Sequence, residues 1–359
     1  MTMKNQIKIY RNSLALLLSA IAVGCTSVET IDSRQETPRP VAFSLQTAPT
    51  VTTRAASTLD NLWPSATVIS ISNGTNVYNY QTAAESSSTD DAVTLSPVSS
   101  IFYWPVDDPG WSFSAWYPAT ASPTSTSTAT ASITVNADQT ETTTSEATYK
   151  SYDLLYCPST PATFWATVPL VFHHQMARVI VIINSDGTEG HDETVGSETV
   201  RKKEVVTNVA LGGTNRLGLT GSITTFSTDG TNGSTVWNVA TKDACITKMR
   251  PLASHTNATS NLYAFECILP PQKDETADAA LIDITTSGAE DHEHQLITRT
   301  YTYKSAFDFK AGYQYTYNLA ISEQGTVTLD RVKVEGWGDP VAVTVNGDDL
   351  VIPPNSYPE

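Results

Sequence analysis

Positive charge is scarce in this chain. Lys and Arg number 21 against 37 Asp and Glu, a formal net charge of −16 at pH 7. Such an excess of carboxylate offers no basic face, which excludes nucleic acid and electrostatic binding to anionic lipid. Cysteine is almost absent, with Cys25, Cys157, Cys245 and Cys267 the only four. No Cys-x-x-Cys pair announces a zinc or redox site. Apart from Cys25 the count is odd, so one bridge, with Cys245 and Cys267 the closer pair in sequence, and three free thiols both stay open. No apolar run is long enough to span a bilayer. The chain also has no Gly-x-Ser-x-Gly elbow, phosphate loop, zinc-protease helix or dinucleotide fingerprint. Carboxylates are plentiful, but nothing selects a pair, so the chain reads as no enzyme and as needing no cofactor. Helix-period apolar patterns are missing as well. Thr, Ser, Val, Tyr and Trp are abundant instead, which makes the fold all-β.

The N-terminus carries the strongest local signal. Lys4, Lys8 and Arg11 precede an apolar stretch from Leu14 to Val23, then Gly24 and Cys25. Basic start, short apolar core and small residues before the cut form a secretory signal. The cysteine at its end resembles the lipobox of bacterial lipoproteins, with Ala22 in place of the usual leucine. That resemblance implies cleavage after residue 24, acylation (palmitate) of Cys25 and an anchor in the outer membrane. An acyl chain gains about 0.8 kcal/mol per buried methylene, so it holds a soluble body at a bilayer without a spanning helix. Losing the three cations of the signal takes the formal charge from −16 to −19.

About 335 residues remain, enough for two domains with their own cores. Residues 26–40, with Pro38 and Pro40, read as a tether. Val41, Phe43 and Leu45 then alternate with Ala42 and Ser44, a short strand that must bury one face. Thr52-Thr53-Arg54-Ala55-Ala56-Ser57 follows, with nothing in it that looks folded. Strands are expected at 68–72, 77–81, 92–95, 101–104, 111–117, 131–135 and 152–156, with Asn73-Gly74 as a tight hairpin turn. Two Ser-, Thr- and Ala-rich stretches, 82–91 and 119–148, read as loops. The second half opens with 168–184, whose Val179 to Ile183 run is apolar on both faces and suits a central strand. Further strands are expected at 205–211, 217–225, 236–239, 262–269, 280–285, 296–303, 314–322 and 327–335. This spacing predicts two tandem antiparallel β-sandwich domains over 55–165 and 166–338. A C-terminal appendage, 339–359, follows. In it Val341, Val343 and Val345 alternate strictly, and Asn346-Gly347 leads to Leu350-Val351-Ile352. A strand pair without a sheet is barely stable in water, so it needs a partner.

These features together resemble the fimbrillin family of Bacteroidetes, subunits of type V pili. Ile101-Phe102-Tyr103-Trp104-Pro105, Phe113-Ser114-Ala115-Trp116-Tyr117-Pro118, Asp153-Leu154-Leu155, residues 170–178 and the ending from Gly312-Tyr313 to Trp337 match family stretches in order and spacing. The resemblance implies transthyretin-like sandwiches in a subunit that ends as a cell-surface fimbrium serving adhesion or biofilm formation. It also implies a mechanism. An arginine-specific protease cuts between Arg54 and Ala55 and frees the propeptide 25–54 with the strand Val41, Phe43 and Leu45. The C-terminal strands of another subunit, with Val341, Val343, Val345, Leu350 and Ile352, then enter the vacated groove. Partners are thus further copies in a head-to-tail polymer, the protease, and a host or bacterial surface ligand.

Other chemistry has weaker claims. His292 and His294, among Glu290, Asp291 and Glu293, have a spacing that can ligate a metal, yet no third ligand is visible and a solvated acidic loop explains them; no metal is expected. Of His173 and His174, one is expected to face inward and hydrogen-bond. Tyr103, Trp104, Trp111, Trp116 and Tyr117 fit either a packed core or the sugar platform of a glycan-binding surface lipoprotein.

Overall fold

Alternating apolar and small polar residues give strands almost everywhere, and the question is which edges meet. The computed structural model describes residues 38–47, 63–84, 92–105, 110–120, 131–188, 190–195, 197–225, 236–239, 241–252, 261–290, 293 and 295–337. Strands β1 (Phe43–Thr47), β2 (Val68–Ser72), β3 (Val77–Thr82), β4 (Val93–Pro97) and β5 (Ser112–Tyr117) come first. After β6 (Ala131–Thr134) and helix α1 (Glu146–Ser151) follow β7 (Leu155–Pro161) and β8 (Val168–His174). Seven of these strands form a closed barrel in the order β1-β4-β3-β2-β5-β7-β8. All its pairs are antiparallel except β1 with β8, which run parallel. The sheet that spacing suggested as a sandwich closes because β1 bridges its two ends. Inside lie Ile69, Ile71, Tyr80, Phe102, Phe113, Leu170 and Phe172, all buried.

Several local expectations change. Residues 101–104 form no strand but a single bridge at Tyr103, with Phe102 and Trp104 buried beside it. The connection at Asn73-Gly74 spans four residues, since Ser72 pairs with Val77. Asn73 stabilises it by accepting from the backbone N–H groups of Thr75 and Asn76 at 3.1 and 2.8 Å. Part of the expected loop 119–148 is helical. Ser145 caps α1 by accepting from the Thr148 N–H at 3.2 Å, and Tyr149 and Tyr152, one turn apart, are both buried. The expected strand 152–156 therefore starts later, at Leu155.

The remaining strands are β9 (Ala177–Asn184), β10 (His191–Val195), β11 (Glu198–Lys202), β12 (Val205–Leu211), β13 (Thr220–Thr225), β14 (Val236–Val239) and β15 (Arg250–Pro251). After them come β16 (Leu262–Leu269), β17 (Gln272–Asp274), β18 (Ala280–Glu290), β19 (Leu296–Lys304), β20 (Phe307–Phe309), β21 (Tyr313–Ile321) and β22 (Val327–Gly336). A five-stranded sheet, β15-β16-β9-β21-β22, shares one apolar core with the three-stranded sheet β12-β18-β19. As expected, β9 is central. Val179, Val181 and Ile183 face that core, while Ile180 and Ile182 on the other face pack with Ala264 and Leu252.

Residues 131–154 lie against this second core although they precede β7. Strand β6 pairs with β13. The Gln139 amide donates to the Ile268 carbonyl at 2.8 Å and accepts from the Ile268 N–H at 3.0 Å. Arg178 of β9 is buried beside Glu266 of β16, donating from Nε at 2.9 Å and from a terminal nitrogen at 2.5 Å. Its other terminal nitrogen donates to Gln314 of β21 at 3.0 Å, and Gln314 donates to Glu335 of β22 at 3.2 Å. One polar chain thus ties four adjacent strands in register. Arg178→Met should cost about 3–5 kcal/mol in chemical denaturation by leaving a buried carboxylate unpaired, and adding Glu266→Leu should restore most of it. An equal loss in single and double variants would mean that the packing of the arginine stem, not the charge pair, matters.

Candidate functional site

The slot that β1 occupies has two rails. Along β8, Phe43 to Thr47 pair in order with Val168 to Phe172; on the other side Ser44 and Leu45 face Thr94 and Val93 of β4. Ahead of β1 the chain continues the ladder. The Val41 N–H donates to the Phe102 carbonyl at 2.8 Å, and the Trp104 N–H donates to the Arg39 carbonyl at 2.9 Å. Pro40 lies between these two bonds, bridged to Tyr103, where the ladder asks for no N–H and proline is therefore tolerated. On the opposite side the Ala42 carbonyl accepts from the Val168 N–H at 2.9 Å.

The floor of the slot is apolar. Val41, Phe43 and Leu45 point inward and are 4, 1 and 0% exposed, while Ala42 between them is outside. The Phe43 ring sits 5.1 Å from Tyr80, 5.0 Å from Phe113 and 6.1 Å from Phe102, centroid to centroid, each edge-on. Among the described residues, the core around this floor is apolar and aromatic. Burial raises the Tyr80 phenol above its ordinary value although its oxygen accepts from the Phe102 N–H at 3.0 Å. Burial likewise pushes the Cys157 thiol up to about 11, so it packs as a neutral core group. Outside, the Arg39 guanidinium lies 5.9 Å from the Trp165 ring centroid, a cation over an aromatic face. Two strand rails over an apolar floor hold an extended apolar segment here.

Of the residues singled out in the sequence, Val41, Phe43 and Leu45 are brought together here. Cys25, Arg54, Ala55, Val341, Val343, Val345, Leu350 and Ile352 lie outside the described residues, as do His292 and His294. His174 is the inward histidine. Its Nδ1 is 2.7 Å from Asp153 Oδ1, and its ring stacks on Trp337 at 4.4 Å. The aromatic group is mostly core: Trp104 and Trp116 are each 4% exposed, Trp111 and Tyr117 pack against the barrel core, and Tyr103 alone is largely exposed. That removes the sugar platform. Cys157, Cys245 and Cys267 are all free thiols. The rails at Phe102–Trp104 and β8, and the Arg39–Trp165 contact, were not anticipated. The signal for the first was the Phe102 and Trp104 alternation around Tyr103.

The first described strand fills a slot in this barrel, and known proteins place the fold. Residues 53–337 match the model of the fimbrillin-like family. No curated protein matches the chain. Among solved structures, two similar ones are each called a "putative cell adhesion protein". The one from Bacteroides uniformis is 20% identical, with 83% of this chain and 98% of that chain covered and a TM-score of 0.50. Its counterpart from Bacteroides ovatus is 16% identical, over 84% and 98%, with a TM-score of 0.52. A fimbrial protein from Bacteroides vulgatus is 16% identical over 82% and 99%, with a TM-score of 0.44. The family match spans the barrel from β2 through the last described strand, β22, so this chain belongs to the fimbrillin-like family.

Proposed function

We propose that this protein is a structural subunit of a type V pilus, exported as a lipoprotein through Cys25, cut after Arg54 and polymerised by strand exchange. The observation that carries the reading is β1. Val41, Phe43 and Leu45 are all buried in the barrel core, and the segment that carries them, β1 with the residues just ahead of it, is linked covalently to the rest of the barrel through residues 48–62, in which Arg54 lies. One cut there separates β1 from the rest of the chain without severing any other described strand. The strand's departure bares two rails and an apolar floor, and the strand 341–352 of a second copy replaces it. Each inserted apolar side chain contributes about 1.5–3 kcal/mol and each ladder bond about 0.5–1.5. Donor and acceptor surfaces differ, so the contact is head to tail and builds a filament at the cell surface, serving adhesion or biofilm formation. Its work is mechanical and adhesive, without catalysis or cofactor.

Arg34 and Arg39 also precede the strand, and of these Arg39 is among the described residues. Its carbonyl is bonded to Trp104 and its side chain covers Trp165, so a protease needing an extended, accessible chain meets it already paired. Arg54→Ala should leave the fold intact and abolish filaments after treatment with an arginine-specific protease, as seen by electron microscopy. Filaments of normal length from that variant would overturn release at Arg54. N-terminal sequencing of the treated wild type should begin at Ala55, and mass spectrometry of the detergent-extracted precursor should show an acylated Cys25 as its first residue.

A further inference from the structure

The sequence of the first described strand has a near-repeat towards the C-terminus. Pro40-Val41-Ala42-Phe43-Ser44-Leu45 and Pro340-Val341-Ala342-Val343-Thr344-Val345 share Pro-Val-Ala, then an apolar residue, a hydroxyl residue and an aliphatic one. The ladder around Pro40 makes this copy informative about register. Proline fits opposite Tyr103 because the flanking bonds come from Val41 N–H and Trp104 N–H. Shifted one residue onward, a proline would fall at the Val41 position, lose the bond to the Phe102 carbonyl and turn every apolar side chain outward. The copied sequence therefore fits the slot in the register of β1, parallel to β8, with Val341 at the place of Val41, Val343 at that of Phe43 and Val345 at that of Leu45.

In that register one position does not match. Phe43 fills a pocket walled by Tyr80, Phe102 and Phe113 and is 1% exposed. An isopropyl group there leaves most of the volume of a benzyl group empty, and interiors do not collapse fully around such a loss. The flanking substitutions, Leu to Val and Ser to Thr, are small. The chain's own C-terminal segment thus follows the pattern of β1, and its largest departure falls at the position of Phe43, where the slot holds an aromatic ring.

We propose that the Phe43 pocket selects the incoming strand, and that it favours a donor with an aromatic residue at this position over a second copy of this chain with Val343. The inference rests on the strand replacement proposed above and adds the register and the preferred partner. A chain presenting Pro-Val-x-aromatic-x-aliphatic at its C-terminus is the better donor, so this subunit has a built-in preference for an unlike neighbour on its acceptor side.

The test uses the full-length protein cut after Arg54, from which the N-terminal fragment is displaced by synthetic peptides of residues 338–347. Native mass spectrometry follows the displaced fragment. The peptide with Val343→Phe should reach half-displacement at a concentration lower than the wild-type peptide by roughly tenfold or more. The Val345→Phe peptide should show no such gain, and a scrambled peptide should displace nothing. Equal potency of the Val343→Phe and wild-type peptides would overturn the selective pocket while leaving the slot itself standing. A gain at position 345 instead of 343 would overturn the register. Failure of every peptide, the Val343→Phe one included, would sink the strand replacement and this inference with it.

Discussion

Truncation after Trp337 should abolish self-assembly and leave a folded monomer. Every described strand ends before that point, β22 closing at Gly336, and Trp337 keeps its own anchors. Its N–H donates to the Gly312 carbonyl at 2.7 Å, and its ring lies on His174. The truncated protein, once cut after Arg54, still owns a slot and so can accept a strand from an intact subunit. It has none to give. Mixed with intact subunits it should stop growth at one end, and alone it should remain monomeric in electron micrographs and in ultracentrifugation. Long filaments from the truncated protein alone would show that the donor lies elsewhere in the chain.

The second large effect separates precursor from filament. Phe43→Ala should destabilise the uncut precursor by about 3–5 kcal/mol, because the ring touches three aromatic neighbours in a fully buried pocket that cannot close around an alanine. The same substitution should leave filaments unchanged in length and detergent resistance, since the proposed maturation discards the residue. Thermal melts of the precursor and of the assembled polymer, measured side by side, decide the matter. A filament weakened by Phe43→Ala would mean that β1 stays in the mature subunit.

Strand existence was largely legible, since alternation along Val93 to Ser96 or Ser112 to Ala115 is a local property of one face meeting a core. Val179 to Ile183, apolar on both sides, announced a central strand for the same reason. Partner choice was not legible. Nothing local in Val41 to Leu45 says that it will run parallel to a strand formed from Val168 onward, because that pairing is decided by which two edges the curled sheet leaves open. The run 168–184 looked continuous, yet it divides at Gln175, whose N–H bonds the Leu154 carbonyl; the halves serve different sheets. Helix α1 hid in a Ser- and Thr-rich stretch although its cap Ser145 and the spacing of Tyr149 and Tyr152 were readable. At the candidate site the strand itself was visible as three alternating apolar residues. Its rails and its aromatic pocket come from segments distant in sequence, and only the folded barrel assembles them.

The pairing of the first strand with one formed much later in the chain bears on how the subunit can be made at all. While β1 is covalently attached, it meets its slot at an effective concentration on the order of millimolar, whatever the protein's own dilution. The barrel can then complete itself inside a single molecule, with β1 serving as an intramolecular template for its closure. After the proposed cut the same closure becomes a bimolecular event that depends on how many strands are nearby. On the proposed maturation, a subunit that unfolds in dilute solution no longer carries the strand that closes its barrel, and this would give assembly a direction in time: the uncut chain holds its own closing strand, whereas the cut one depends on a neighbour.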